Sequence, residues 1–154
     1  MPTTPLIIRL ATPVDVPTIA KFNTAMAHET EDKKLDPETI TAGVTSLFQH
    51  PELGFYLVAE QDDTVLASLM ITTEWSDWRN GIFWWIQSVY VIPEARRQGI
   101  FTRLYQHIEK LASADPRICG FRLYVEQENQ VAQSTYRSLG MQATHYKLFE
   151  KLKA

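Results

Sequence analysis

The stretch VYVIPEARRQGIFTRLYQHI, residues 89–108, constrains the fold more than any other part of the sequence. An apolar strand ends at Pro93. Two arginines, Arg96 and Arg97, and Gly99 come next, and a helix then begins without a polar linker. The first amides of such a helix have no acceptor within the helix, and the helix dipole favours negative charge there. The arginines add positive charge, and the glycine allows a ligand close to the backbone. The junction predicts a phosphate site; a helix that starts at an ordinary turn, with solvated arginines, is the alternative.

The rest of the chain alternates strand and helix patterns in the order β-α-α-β-β-β-α-β-α-β. Thr12-Pro13 and Asp36-Pro37 are typical helix starts, and Gly140 is a typical helix end. The predicted strands are LIIRL, GFYLVAEQ, TVLASLMITTEW, GIFWWIQSVYVIP, CGFRLYVEQ and ATHYKLFEKL. This order predicts an α/β fold, with a mixed sheet and helices on its faces. A length of 154 residues, 45% of them hydrophobic, predicts a single domain over residues 1–154.

Charge and composition argue against several classes of protein. The net charge of −3 argues against a general nucleic-acid or membrane-surface binder. The four histidines and one cysteine lie in no metal-ligand spacing, so we expect no metal. Cys119 cannot form an internal disulfide, and the sequence shows neither a membrane-length apolar run nor a signal peptide. We therefore expect a soluble, cytoplasmic protein that binds no nucleic acid and no membrane.

Two motifs resemble those of the GNAT superfamily of acyl-CoA-dependent N-acetyltransferases. The family signature is Arg or Gln, two residues, Gly, any residue, and Gly or Ala after a strand; residues 96–101 match it except at Phe101. The later segment NQVAQSTYRSLGM is similar to the family's Asn-x-x-Ala-x-x-x-Tyr-x-x-x-Gly-Phe/Met helix. The residues in register there are Asn129, Ala132, Tyr136 and Gly140. The resemblance implies a mixed, mostly antiparallel sheet with a splayed central strand pair and helices on both faces.

The resemblance also implies that the chain binds acetyl-CoA as a co-substrate. Backbone groups matching Val89 and Val91 would hydrogen-bond the pantetheine arm, and the turn after them would hold the pyrophosphate. Phe101 stands where the family has Gly or Ala, so its side chain must point away from the ligand. The residues expected to bind the cofactor are Val89, Tyr90, Val91, Arg96, Arg97, Gln98, Gly99, Ile100, Phe101, Thr102 and Asn129.

Acetyl transfer from a thioester to an amine needs a neutral amine and a proton for the leaving thiolate. The resemblance places Tyr136 near the thioester sulfur, where its phenol can donate that proton. A partly buried tyrosine that packs on the sheet is the alternative. A backbone N–H of Val89 or Tyr90 is the candidate donor to the oxyanion.

Several residues are candidates for the base that removes the amine proton. In several GNAT enzymes this base is a glutamate of the central strand, and the matching position holds Gln87, whose amide cannot act as a base. Glu29 and Glu31 at the end of the first helix, and Glu74 beside a tryptophan, are the substitutes. His28 and His145 are candidate relays, and water alone is a further alternative.

The segment TEWSDWRNGIFWWIQS concentrates tryptophans beside acidic residues. Tryptophans at this density usually belong to a core or an interface; at the mouth of a site they form an aromatic wall, and acidic neighbours attract a cationic amine. We expect the acceptor, a small molecule such as an amino acid or a polyamine, to contact Glu31, Trp75, Trp85 and Gln87.

The sequence thus predicts an N-acetyltransferase that moves an acetyl group from acetyl-CoA to a primary amine of a small molecule by direct attack on the thioester. A non-catalytic acyl-CoA-binding regulator and a protein or peptide N-acetyltransferase are the alternatives. We also expect a homodimer, because the aromatic segment DWRNGIFWW and the predicted C-terminal strand HYKLFEKL could pair across a two-fold axis.

Overall fold

The computed structural model describes residues 4–153, which form two units, one ending at Leu123 and one beginning at Tyr124. In chain order the first unit contains β1 (Ile7–Leu10), α1 (Val16–Glu31), α2 (Pro37–Gln49), β2 (Gly54–Gln61), β3 (Thr64–Ser76), β4 (Gly81–Val91), α3 (Ile100–Ser113) and β5 (Ile118–Arg122). The second unit contains α4 (Gln130–Ser138). Within residues 4–153, no helix combines the length and apolar composition needed to cross a membrane.

The strands of the first unit form one sheet in the order β1-β2-β3-β4-β5. The first three pairings are antiparallel, and the pairing of β4 with β5 is parallel. This arrangement confirms the predicted α/β class and the mixed, mostly antiparallel sheet.

Helices cover both faces of this sheet. On one face, Ile19 of α1 and Val44 of α2 join a core with Tyr56 and Val58 of β2. Alternate residues of a strand point to opposite faces, so Leu57 between them belongs to the other side. There α3 packs against β1 and β2, and its Leu104 and Ile108 are fully buried. The predicted placement of helices on both faces is confirmed.

Two helix starts follow the predicted capping signals. The side chain of Asp36 accepts a hydrogen bond from the Thr39 amide at 3.0 Å and caps α2. Thr12 begins a short 3-10 turn, Pro13–Asp15, and α1 starts after it at Val16. The Asp15 carboxylate in this turn accepts from the Thr12 amide at 2.8 Å, so the turn and the helix entry are fixed together.

The ladder between the central strands β4 and β5 covers only the first part of β4. Their ladder runs from Ile82↔Ile118 to Trp85↔Arg122, whereas β4 continues to Val91. The ladder ends with β5 itself, at Arg122, so the part of β4 beyond Trp85 has no ladder with β5, in agreement with the predicted splayed pair.

A β-bulge in β4 follows the end of this ladder. Gln87 pairs with Met70, but Tyr90 pairs with Ser68, so β4 carries one residue more than β3 between the two pairs. Ser88 in the bulge has a φ of 53°, in the left-handed region. The extra residue reverses the alternation, and Gln87 and Tyr90 consequently lie on the same face of the sheet.

The predicted C-terminal strand ATHYKLFEKL is wrong. Residues 141–153 contain no helix or strand, and β5 ends at Arg122, earlier than predicted. The alternating pattern supplies a strand-like sequence, but a strand forms only where a neighbour completes its backbone hydrogen bonds. The sheet contains no ladder with these residues. Their large apolar side chains are exposed: Tyr146, Leu148, Phe149 and Leu152.

Candidate active site

The junction of β4 and α3 has the backbone geometry of an anion site. A 3-10 turn, Pro93–Ala95, ends the strand, and Arg97 and Gly99 then adopt left-handed φ values of 63° and 75°. The amide of Arg103 donates to the Gly99 carbonyl at 3.1 Å, and no side chain caps α3. Amides ahead of such a first bond have no acceptor within the helix, and they point into the junction. We call residues 96–102 the anion turn.

The backbone conformation favours glycine at position 99, and the space in front of it is open. Its positive φ is a conformation that side chains with a Cβ adopt only with strain. A Cβ at this position would meet no atom of the described residues within 4 Å, so the space in front of the backbone is open. A negatively charged side chain here would occupy the space where an anion would sit.

The Arg96 guanidinium lies against the end of α1. Its Nε donates to the Val91 carbonyl at 2.9 Å, and its Nη2 donates to Glu29 Oε2 at 2.8 Å. The Tyr90 hydroxyl donates to the other oxygen, Glu29 Oε1, at 3.2 Å. These bonds tie the end of α1 to the end of β4 immediately before the anion turn.

This pairing sets the ionisation of Glu29, a candidate base. The hydrogen bond from Arg96 lowers the pKa of the Glu29 carboxyl, although burial opposes it. Burial raises the pKa of the Tyr90 phenol, and the nearby Glu29 carboxylate raises it further. Glu29 is therefore a carboxylate that holds its charge and accepts a proton less readily than an ordinary glutamate.

A second polar group, which we call the sheet cluster, lies on the α1 side of the sheet. Its members come from three adjacent strands: Thr72, Glu74, Trp85, Gln87 and Arg122. Glu74 Oε1 accepts from Trp85 Nε1 at 3.0 Å and from Arg122 Nη1 at 2.6 Å. The Thr72 hydroxyl donates to Gln87 Oε1 at 2.7 Å. Strand register places these residues on one face, where their side chains meet.

A glycine and a phenylalanine position Arg122. A Cβ at Gly120 would lie 2.8 Å from the Phe83 ring, so only glycine lets the ring lie over β5. The Arg122 guanidinium stacks on the same ring, with its Cζ 3.7 Å from the ring centroid. This stacking fixes the guanidinium beside Glu74. Sequence reasoning missed Arg122 and Thr72; the signal for Arg122 was a lone cation inside an apolar strand.

The structure brings together only some of the predicted site residues. Glu29 meets Tyr90 and Arg96 at the end of β4, whereas Glu74 meets Trp85, which precedes Tyr90 by five residues on that strand. Glu31 is exposed, with its Oε1 3.9 Å from the Lys33 Nζ. Gln87 belongs to the sheet cluster, and Val89 and Val91 lie on β4. The predicted residues along the anion turn are Arg97, Gln98, Gly99, Ile100, Phe101 and Thr102.

Trp75 and Phe101 are two further residues of the first unit that were predicted to contact a ligand. Trp75 is 61% exposed near the turn between β3 and β4. The centroid of the Phe101 ring lies 6.3 Å from that of the Tyr105 ring, one turn further along α3.

The predicted homodimer and cytoplasmic location stay predictions.

The second unit carries the two predicted residues of the later motif. Asn129 caps α4, because its Oδ1 accepts from the Ala132 amide at 3.0 Å. Tyr136 lies on α4, and burial raises the pKa of its phenol. A phenol with a raised pKa keeps its proton at neutral pH, as a proton donor must.

Within residues 4–153, no group of three or more His, Cys, Asp or Glu residues is placed to hold a metal ion.

The sequence matches the model of the Acetyltransferase (GNAT) family over residues 19–141. Among curated proteins, no sequence matches the chain.

Solved structures give further matches. A possible acetyltransferase from Clostridium difficile 630 is similar at 48% identity and a TM-score of 0.89, over 97% of this chain and 98% of that one. A predicted acetyltransferase with acetyl-CoA from Clostridium acetobutylicum matches at 18% identity and a TM-score of 0.78, over 96% of each chain. Glucosamine-6-phosphate N-acetyltransferase from Arabidopsis thaliana matches at 15% identity and a TM-score of 0.72, over 97% of this chain and 99% of that one. The last two show the fold alone.

Proposed function

The chain belongs to the GNAT acetyltransferase family, and on that premise we propose that it transfers the acetyl group of acetyl-CoA to a primary amine of a small molecule. The observation that carries the proposal is the junction where β4, beyond the end of its ladder with β5, leads directly into the anion turn. The strand edge and the turn follow each other along one path, as an elongated ligand with an anionic end requires.

Each part of acetyl-CoA has a counterpart along this path. The pyrophosphate binds the anion turn, where α3 offers its first amides and its dipole. The pantetheine arm runs back along β4 as an added strand, using backbone groups of Val89 and Val91. Because the anion turn follows Val91, the thioester end points toward Gln87 and Trp85. The acetyl group is thereby directed to the sheet cluster.

The chemistry is direct attack of the amine nitrogen on the thioester carbonyl carbon. The carbon–nitrogen bond forms, the carbonyl oxygen takes the negative charge, and a backbone N–H of Val89 or Tyr90 stabilises it. The carbon–sulfur bond then breaks, and Tyr136 gives its proton to the departing thiolate. The amine proton leaves to Glu74 or to water. Both carboxylate oxygens of Glu29 are held by hydrogen bonds from Tyr90 and Arg96, whereas the bonds to Glu74 from Trp85 and Arg122 are made at Oε1.

The sheet cluster supports a small acceptor. It offers a carboxylate, an indole, an amide, a hydroxyl and a guanidinium on one face at the point where β4 and β5 separate. The Glu74 side chain is 42% exposed, so an ammonium group can reach it from solvent. A carboxylate at hydrogen-bond distance attracts a cationic amine.

An amine-panel assay tests the proposal. The protein is incubated with acetyl-CoA and one primary amine at a time, and release of free CoA thiol is followed. We expect release that depends on the amine for at least one member of the panel. Tight acetyl-CoA binding in calorimetry, without amine-dependent release for any amine, would overturn the proposal in favour of a non-catalytic acyl-CoA-binding regulator.

A further inference from the structure

Building on the proposed function, we propose that the acceptor is a zwitterion in which a carboxylate lies beside an ammonium group, as in a free α-amino acid. Arg122 binds the carboxylate, and Glu74 binds the ammonium group. The evidence is the form of the ion pair between these two residues and its place at the splay of β4 and β5.

The pair lies where the acetyl group must arrive. Trp85↔Arg122 is the last pair of the ladder between β4 and β5. An arm that runs along β4 from the anion turn toward this pair ends near Gln87, two residues beyond Trp85. A strand rises about 3.3 Å per residue, so the distance along β4 is about 7 Å. A small amino acid held by the pair is therefore within reach of the thioester.

In the ion pair, Glu74 and Arg122 each use only part of their charged group. Glu74 Oε1 accepts both hydrogen bonds of the carboxylate, from Trp85 and from Arg122. Among residues 4–153, no donor contacts Glu74 Oε2, and the Arg122 guanidinium donates through Nη1 alone. The side chains are 42% and 34% exposed, so both open ends are accessible to solvent. Glu74 Oε2 therefore forms an anionic half-site, and the remaining N–H groups of Arg122 form a cationic half-site beside it.

The surroundings hold both half-sites in place before any ligand binds. Trp85 Nε1 fixes the Glu74 carboxylate, and the Phe83 ring supports the Arg122 guanidinium at 3.7 Å. The ring itself lies over Gly120, where a side chain would collide with it. A site that is already ordered loses less conformational entropy on binding.

Charge decides which small amine such a site prefers. The two side chains cancel in net charge, so a purely cationic amine is attracted by Glu74 and repelled by Arg122. A zwitterion places its ammonium group at the carboxylate and its carboxylate at the guanidinium, and four charges then alternate in sign. Arginine suits this role because its planar fork binds carboxylates with two parallel hydrogen bonds. The pair therefore selects amino acids over polyamines and simple alkylamines.

Matched pairs of acceptors test the inference. Each pair consists of an amino acid and the amine that lacks its carboxyl group: leucine with 3-methylbutylamine, phenylalanine with 2-phenylethylamine, and lysine with cadaverine. Thiol release gives kcat/KM for each compound with the wild-type chain. We expect kcat/KM to favour the amino acid of the best pair by about 10-fold to 100-fold, the usual effect of one charge-assisted hydrogen-bonded contact.

Variants of Arg122 then identify the residue responsible. Arg122→Gln should bring the ratio within each pair close to one, mainly through the KM of the amino acid. Arg122→Lys keeps the charge but loses the planar fork, so it should retain part of the preference. Arg117→Gln is the matched control, because Arg117 is an exposed arginine that pairs with Asp115 at 2.8 Å just before β5. It should keep the wild-type ratio.

The outcomes separate this inference from the proposed function. Turnover of the simple amines at the same or higher kcat/KM would overturn the inference and leave the acetyltransferase proposal standing. Equal losses for both members of each pair in Arg122→Gln would also overturn it, because they indicate a merely structural role. Absence of turnover for all compounds would overturn both. The wild-type comparison needs no variant, so a variant that fails to fold does not prevent the test.

Discussion

The anion turn and the sheet cluster lie at opposite ends of the same stretch of β4, but different parts of the chain form them. In the proposed function the anion turn binds through backbone amides of one continuous segment, which contains left-handed residues such as Gly99. The sheet cluster uses side chains of Glu74, Trp85 and Arg122, which three separate strands contribute. Backbone groups fit any ligand with a pyrophosphate, whereas side chains fit one acceptor. A family can thus keep its cofactor site while its acceptor changes.

The two regions also respond differently to substitution. A backbone site is lost when the backbone path is obstructed, and single side-chain deletions affect it little. A side-chain site loses one specific contact with each substitution. The largest effects are therefore expected from a change at Gly99, and smaller ones from the arginines next to it.

Gly99→Glu should abolish acetyl-CoA binding. The glutamate adds bulk and negative charge in the open space before the turn, and it also strains a backbone with a φ of 75°. Calorimetric titration with acetyl-CoA checks this expectation. The matched control is Gly43→Glu, since Gly43 lies on the exposed side of α2 and a Cβ there meets nothing within 4 Å. Undiminished affinity in Gly99→Glu would show that the pyrophosphate binds elsewhere.

Tyr136→Phe should lower kcat by roughly 10²-fold or more and leave acetyl-CoA affinity nearly unchanged. The ring remains, but the phenol proton that the thiolate needs is gone. Steady-state thiol release gives kcat, and calorimetry gives the affinity. Tyr146→Phe, at an exposed tyrosine of the same unit, serves as the control. A variant that turns over at the wild-type rate would remove Tyr136 from the mechanism. The anion turn and the sheet cluster would then be the whole proposed site.

Arg97→Gln and Arg96→Gln should each weaken acetyl-CoA binding by no more than about fivefold, because exposed charge pairs contribute up to about 1 kcal/mol. Arg97→Gln should give the larger loss, since Arg96 already pairs with Glu29 at 2.8 Å. Titrations at low and high salt check this, and the loss should shrink as salt rises. A loss of 100-fold for either variant would mean that side chains, rather than the backbone, form the anion turn's main contacts.

Glu29→Gln should have the smallest effect, on stability rather than on binding. Arg96 lowers the pKa of Glu29 in the folded chain, so the pair stabilises the fold above the ordinary value of 4.5 and loses this contribution as pH falls through the lowered pKa. The side chain is 39% exposed, which limits the effect to below about 1 kcal/mol.

Urea unfolding of both proteins at pH 7 and pH 3 measures that difference. The wild type should be the more stable at pH 7, and the gap should narrow at pH 3. A gap that widens with acid would contradict the assigned ion pair between Glu29 and Arg96.

The same contrast explains what the sequence could predict. The strand-turn-helix geometry around the anion turn was predictable because strand, arginines, glycine and helix start follow one another within residues 89–108, so a local pattern contains this geometry; the phosphate site there stays a prediction. The α/β order and the mostly antiparallel sheet were predictable from runs of apolar residues and helix caps. Glu74 and Trp85 were candidates, but as separate residues.

What the sequence did not predict depends on long-range pairing. Arg122 joins Glu74 only because β5 is parallel to β4 and in register with Trp85, and no local pattern specifies that register. The pairing of Glu29 with Arg96 likewise spans two distant segments. The C-terminal segment shows the converse error, since its alternation is strand-like although no ladder includes it.

The separation of the two regions is tested most directly by measuring acetyl-CoA affinity and acceptor kinetics on the same preparations of the wild type, Gly99→Glu and Glu74→Gln. We expect Gly99→Glu to lose acetyl-CoA binding and all turnover. Glu74→Gln should keep acetyl-CoA affinity within about twofold and lower kcat/KM for the acceptor by roughly 10-fold or more. If Glu74→Gln instead binds acetyl-CoA poorly, or turns over its acceptor like the wild type, the division between a backbone cofactor site and a side-chain acceptor site is wrong.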